Sequence, residues 1–260
     1  TKVVVEGGVE SLGDRALMGC STLTDVSIAD SVTSYGTNCF NGCTALQSLG
    51  IGKNVSSISQ LGLSTCASLS NLEVDPKNGR YASVGGWLFE LSADGTACLL
   101  QVPGGVVAGA QSVVVPDSVD VDGKQYRVTS VGKTVDTEGG YALSGAKSAT
   151  SVKLGANVAA VGANAFNGCA SLESVNLDGI SEFGAAAFIG CKSLSSAVLG
   201  EGLGSIPSSL FQNCSSLSSI SLPDSIESIE RYAFSGSGIS EVDIPAAAKT
   251  VGDFAFSGCK

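Results

Sequence analysis

The chain has 260 residues, among them 34 glycines, a single tryptophan and no histidine, with 15% charged residues and a formal net charge of -10. An acidic surface poor in lysine and arginine repels a polyphosphate backbone and has few cations with which to release counterions, which argues against nucleic acid and anionic lipid as partners. Without histidine the Ser-His-Asp and Cys-His nucleophiles cannot be assembled, and no apolar run approaches the ~20 residues a membrane-spanning helix needs.

In chain order, residues 1–74 hold three similar units of about 23 residues. The first reads Leu12-Gly13, Ala16-Leu17, Cys20, Leu23, Val26, Ile28. The second reads Tyr35-Gly36, Phe40, Cys43, Leu46, Leu49, Ile51, and the third Ile58, Leu63, Cys66, Leu69, Leu72, Val74. The alternation of Leu-x-x-Val-x-Leu predicts a short strand whose alternate residues point inward. A turn and a second apolar segment then close the coil. The Gly of the Val-Gly and Phe-Gly steps in later units is expected to take a positive φ at the turn after the second apolar segment, and the Ala-Phe pair to set a ring beside a small residue in a narrow interior.

Residues 75–127 break the pattern. Asp94-Gly95 separates Trp87-Leu88-Phe89-Glu90-Leu91 from Ala97-Cys98-Leu99-Leu100, and Asp122-Gly123 separates Val119-Asp120-Val121 from Tyr126-Arg127-Val128. Asp-Gly suits a turn with positive φ, so both are expected hairpins. The segment holds the single Trp and two of the five Tyr.

Residues 128–260 return to the repeat. Val131-Gly132 is parted from Ala142-Leu143 by an extra loop at 133–140; then come Val161-Gly162, Ala165-Phe166, Cys169, Leu172, Val175 and Leu177 in the plainest unit. Copies follow at Phe183, Ala187-Phe188 and Cys191, at Ile206, Phe211 and Cys214, and at Ile229, Phe234 and Ser237. Three units before the break and five after it make eight, with a ninth cut short at Cys259. Thr1 falls within a strand-like run and Lys260 within a repeat, which reads as a piece of a longer protein.

One such unit cannot bury its apolar face alone, so the units must stack. The expected fold is a repeat solenoid: a right-handed leucine-rich-repeat coil with a concave parallel β-sheet, short strands and turns on the other side, and one β-hairpin-containing interruption, in a single elongated domain. These motifs resemble the BspA-like leucine-rich repeats of bacterial surface proteins over nearly the whole chain. That resemblance implies a secreted or surface-displayed module whose role is adhesion through a protein partner, host or bacterial, with no cofactor and no catalysis. The alternatives are a structural spacer, or a targeting domain of a larger surface protein or secreted enzyme.

Seven of the nine cysteines, Cys20, Cys43, Cys66, Cys169, Cys191, Cys214 and Cys259, hold one repeat position, where Ala146 and Ser237 also occur. A position shared with Ala wants a small buried side chain, so the cysteines are expected to be free; Cys39 and Cys98 stay open as bridge or reactive candidates. No Cys-x-x-Cys or His supports a zinc site. Ser144-Gly145-Ala146-Lys147 matches Ser-x-x-Lys without its companion elements, Gly132-Lys133-Thr134 lacks the first Gly of a phosphate loop, and 118–129 fails the calcium-loop pattern at both ends.

Alternation places Asp25, Asn71, Asn176 and Glu241 on outward rows that are otherwise mostly serine and contain no aromatic residue. The candidate partner-binding residues are these four together with Tyr81, Trp87 and Tyr126 of the interruption. For the three aromatics the competing reading is that they plug the gap where the coil is broken.

Overall fold

The computed structural model describes residues 1–134 and 140–260; most of the predicted loop at 133–140 lies outside them. The backbone winds as a β-solenoid. On one side Lys2–Val5, Asp25–Ile28, Ser48–Ile51 and Asn71–Val74 pair in parallel. The register sets Val3 beside Val26 and Leu49 beside Leu72, each at the same phase of successive coils. A second ladder, Ser11–Leu12, Ser34–Tyr35 and Ser57–Ile58, closes the coils. After the interruption both ladders resume, for example with Ser151–Lys153 on Ser174–Val175 and Ser205–Ile206 on Ser228–Ile229. Among the described residues the only helical piece is the short 3-10 turn Leu63–Thr65.

The interior is a set of columns, one residue per coil. Phe166, Phe188, Phe211, Phe234 and Phe256 stack at 4.8, 5.5, 5.8 and 5.2 Å between ring centres, nearly parallel. Beside them Ala165, Ala187 and Ala233 are fully buried, so the small residue leaves room for the ring, as the Ala-Phe pairing predicts. All nine cysteines are free. The buried thiols have a use beyond filling space. Sγ of Cys66, Cys191 and Cys214 donates to the carbonyl of Phe40, Phe166 and Phe188, at 3.3, 3.3 and 3.1 Å, each in the coil before. A thiol is a weak donor that needs little room, which is why cysteine recurs where alanine also fits.

The expectation for the Gly of the Val-Gly and Phe-Gly steps is corrected. At Gly36, Gly162, Gly184 and Gly252 the backbone is not left-handed; a Cβ at Gly184 would instead lie 2.2 Å from the Ala163 nitrogen of the neighbouring coil. Glycine is there to let two backbones approach. The positive φ falls two residues later, on Arg15, Asn38, Asn164 and Ala186. Gly132, at the start of the extra loop, does take the expected positive φ.

Both predicted hairpins form: Trp87–Leu91 with Thr96–Gln101, and Ser118–Val121 with Lys124–Val131. A third, Tyr81–Val84 with Trp87–Leu91, turns at Gly85-Gly86, both at positive φ. That Gly-Gly pair is itself a legible turn signal. The hairpin is bonded into the solenoid, because Thr96–Gln101 runs parallel to Lys124–Val131 and the latter to Ala160–Val161. Alternate residues of the hairpin face two cores. Leu88 and Leu100 join the cluster built from residues 12–72, and Phe89 and Leu99 join the cluster that continues to Ala255. The repeat also returns earlier than the sequence suggests. Ser112–Val114 pairs in parallel with Ser151–Lys153, so a true repeat strand lies inside the predicted break.

One buried polar atom has no partner among the described residues, the hydroxyl of Tyr35. Burial, and secondarily Cys39, pushes its ionisation well above the usual phenol range. A buried donor left unsatisfied costs about 1–3 kcal/mol. Tyr35→Phe is therefore expected to raise stability by about 1 kcal/mol in urea unfolding, and a loss of stability would show that the hydroxyl has a partner in solution.

Candidate interaction surface

The outward rows of the strand side are where the alternation puts them. Asp25 is partly exposed and pairs with Lys2 at 3.3 Å across the first two coils; water reaches both ends of the pair, so it adds little stability. Asn71 is exposed and its amide donates to Glu73 at 3.2 Å. Glu241 is exposed in a stretch without strand pairing.

Asn176 does more than decorate the row. Its Oδ1 accepts from the Leu154 amide at 2.7 Å and its Nδ2 donates to the Leu154 carbonyl at 3.2 Å. The side chain thus occupies the bonds that the next residue of strand Ser174–Val175 would make, and the strand ends there. Ser196–Val198 pairs forward with Ser219–Ser221 but not back. The outcome is a shallow groove of about 340 Å³ walled by Ser174, Asn176, Asp178 and Val198. Val198 is 63% exposed, and Val114, two coils back in the same outward row with Lys153 between it and Asn176, is 58% exposed.

The three aromatics of the interruption are not one patch. Tyr81 is 2% exposed, and its phenol oxygen accepts the Ile58 backbone N–H at 3.1 Å, a bond otherwise made by the next coil. It is built into the wall, almost wholly buried. Trp87 and Tyr126 are half-buried against the C-terminal core, with the Lys124 ammonium 4.5 Å above the Tyr126 ring.

Two features escaped the sequence reading. Arg231 lies 4.6 Å over the Tyr232 ring, which stacks on Phe254 at 5.2 Å. A signal for it exists, since this turn position carries small residues such as Ala185 and Ala186 in other repeats. Glu90 is held by Arg80 at 2.8 Å and Lys133 at 2.9 Å. Burial alone would raise its pKa, but hydrogen bonds from Lys133 and Arg80 outweigh that and hold it below the usual carboxylate range.

A model of the BspA type leucine rich repeat region matches residues 1–92 and 137–260, in six copies. The chain belongs to that family. Among solved structures, this BspA-type chain is similar to a leucine rich cell surface protein of Faecalibacterium prausnitzii, with 26% identity and a TM-score of 0.72, over 97% of this chain and 59% of that one. It therefore spans about three-fifths of that relative. A leucine-rich repeat protein of Eubacterium ventriosum follows at 19% identity and TM-score 0.65, over 99% and 82%. The pneumococcal vaccine antigen PcpA follows at 19% and 0.60, over 95% and 61%. At that identity the last two speak for the fold alone. No curated protein matches the chain.

The catalytic near-misses resolve as repeat parts. Ser144 Oγ donates to the Tyr141 carbonyl at 3.0 Å, so its hydrogen is directed at the backbone. Lys133 is paired with Glu90. Asp120 accepts from the Gly123 amide at 2.9 Å, closing the hairpin turn. Among the described residues no three Cys, Asp or Glu side chains lie together as a metal needs, and no helix is long and apolar enough to cross a membrane.

Proposed function

We propose that this BspA-type chain is a non-catalytic interaction module of a bacterial surface protein and that it receives a protein partner on its strand side, in the groove opened at Asn176. One observation carries the site: Val198, more than half exposed, walls the groove beside Asn176 on a face otherwise made largely of serine, and Val114, likewise exposed, lies two coils from Asn176, beyond Lys153. Exposed apolar side chains with a polar rim are the usual make-up of an interface core. The likeness to a cell surface protein of Faecalibacterium prausnitzii supports surface display, and adhesion to a host or bacterial surface is the role the whole protein then has. The long serine rows favour a second reading, a spacer that binds nothing itself.

The purified chain is to be tested by biolayer interferometry against a panel of host extracellular proteins and bacterial surface proteins. Val114→Asp and Val198→Asp are expected to weaken binding about tenfold or more, near 1.4 kcal/mol, with Trp87→Ala and Tyr126→Ala close to wild type. The reverse pattern would move the site to the interruption, and absence of any binding would favour the spacer.

A further inference from the structure

On the side away from the strand face, a second cavity of about 220 Å³ opens where the N-terminal coils meet the first coil after the interruption. The sequence makes it. Other coils enter a turn that carries Phe40, Leu143 or Phe166 on this side, but in the coil between Leu63 and Leu143 the strand Thr96–Gln101 runs directly into Val102-Pro103 and the turn follows at 104–109. Gly104 lies so close to the coil before it that a Cβ would be 2.5 Å from the Ser64 carbonyl oxygen. The Leu63 amide meets the Gln101 side chain in place of a backbone carbonyl, at 3.5 Å. The short coil stays inside, and its neighbours wall a recess that it does not fill.

Asn38, Asn41, Gln60 and Asn167 bring four carboxamides to the wall, with Tyr141 and Lys147 beside them. Gln60 is 8% exposed, yet its amide has no hydrogen-bond partner within the protein among the described residues, and neither amide atom is sealed from the cavity. That amide therefore faces the open recess, where water or a ligand can pair with it. Among the described residues Lys147 makes no ion pair and no carboxylate lines the recess.

We propose that this recess binds one carboxylate-bearing sugar residue, such as a sialic or hexuronic acid. Carboxamides both donate and accept, as sugar hydroxyls do. The single ammonium takes the carboxylate, and Tyr141 supplies a partly apolar wall. The space holds about seven waters at ~30 Å³ each, the size of one sugar ring. Among the described residues an amine or a zwitterionic amino acid has no acidic partner here, and a phosphate dianion would meet one cation.

The test is saturation-transfer NMR and calorimetry of the whole chain with N-acetylneuraminate, glucuronate, glucose and inorganic phosphate. Saturable binding of one or both acidic sugars is expected, at least tenfold tighter than glucose or phosphate. Lys147→Ala, an exposed change with no ion pair to lose among the described residues, should remove that preference while leaving the melting temperature unaltered. Gln60→Met, close in volume, should weaken the acidic sugar about tenfold. Equal binding of glucose, preferential binding of phosphate, or acidic-sugar binding unaffected by Lys147→Ala would each overturn the proposal, as would no binding at all. Because the strand-face variants Val114→Asp and Val198→Asp do not touch this recess, they are expected to leave sugar binding intact, which keeps the two sites separable.

Discussion

Phe188→Ala is expected to destabilise the protein by about 3–5 kcal/mol, the usual cost of truncating a fully buried ring. Phe188 is fully buried between Phe166 at 4.8 Å and Phe211 at 5.5 Å, with Phe183 edge-on at 6.1 Å. Its removal opens a cavity that rigid coils on both sides cannot close and leaves two rings each without one stacking partner, worth ~0.5–1.5 kcal/mol apiece. Phe256, half-buried and stacked on Phe234 alone, is the control and should cost markedly less. Coils couple mainly to their neighbours, so hydrogen exchange should show protection lost around residues 161–234 while the core of residues 12–72 keeps its own. Equal losses for Phe188→Ala and Phe256→Ala in urea unfolding would contradict the column picture.

That column is legible in the amino-acid sequence alone, because Phe166, Phe188, Phe211 and Phe234 recur at one phase of a steady repeat and a repeated position must stack on itself. The hairpin turns at Asp94-Gly95 and Asp122-Gly123 are legible for a local reason, the φ that Gly permits. What escapes are features set by neighbours far away in the chain. The closeness of Gly184 to Ala163 depends on the gap between coils, which the sequence of one coil does not state. The strand Ser112–Val114 is hidden because the segment before it lacks the Phe and Cys landmarks that mark other repeats. Asn176 reads as a polar residue on an outward row, and only its two bonds to Leu154 reveal it as the cause of a break in the sheet. Tyr81 reads as an aromatic contact candidate, and only the bond that its phenol oxygen accepts from the Ile58 amide shows it standing where the next coil would bond. The recess at Gln60 and Lys147 joins residues distant in the chain, and no periodicity connects them.

The interior thiols lead to the largest expected effect, a collapse of the fold at alkaline pH. Burial, the first cause in each case, pushes Cys39, Cys66, Cys169 and Cys214 up to about 12 and Cys98 up to about 11, from an ordinary value of 9.0, and raises Cys191 further. A thiol that stays protonated in the fold but ionises in the unfolded chain gives stability that is complete below pH 9 and is lost as pH climbs toward the folded values. Each such group removes ~1.4 kcal/mol per pH unit in that window, so six remove ~8 kcal/mol per unit. Set against the 5–15 kcal/mol typical of a folded domain, unfolding is expected about one to two units above pH 9. Circular dichroism and ultraviolet thiolate absorbance should then change together in one transition, since thiolate cannot form inside the columns. Ionisation of Cys66, Cys169 or Cys214 near pH 9 with the fold intact would show that the buried rungs admit water. Ala146 already occupies one rung, so the combined variant Cys169→Ala, Cys191→Ala and Cys214→Ala should fold, give up its thiol-to-carbonyl bonds, and unfold at a higher pH than the parent even if it is less stable at neutrality.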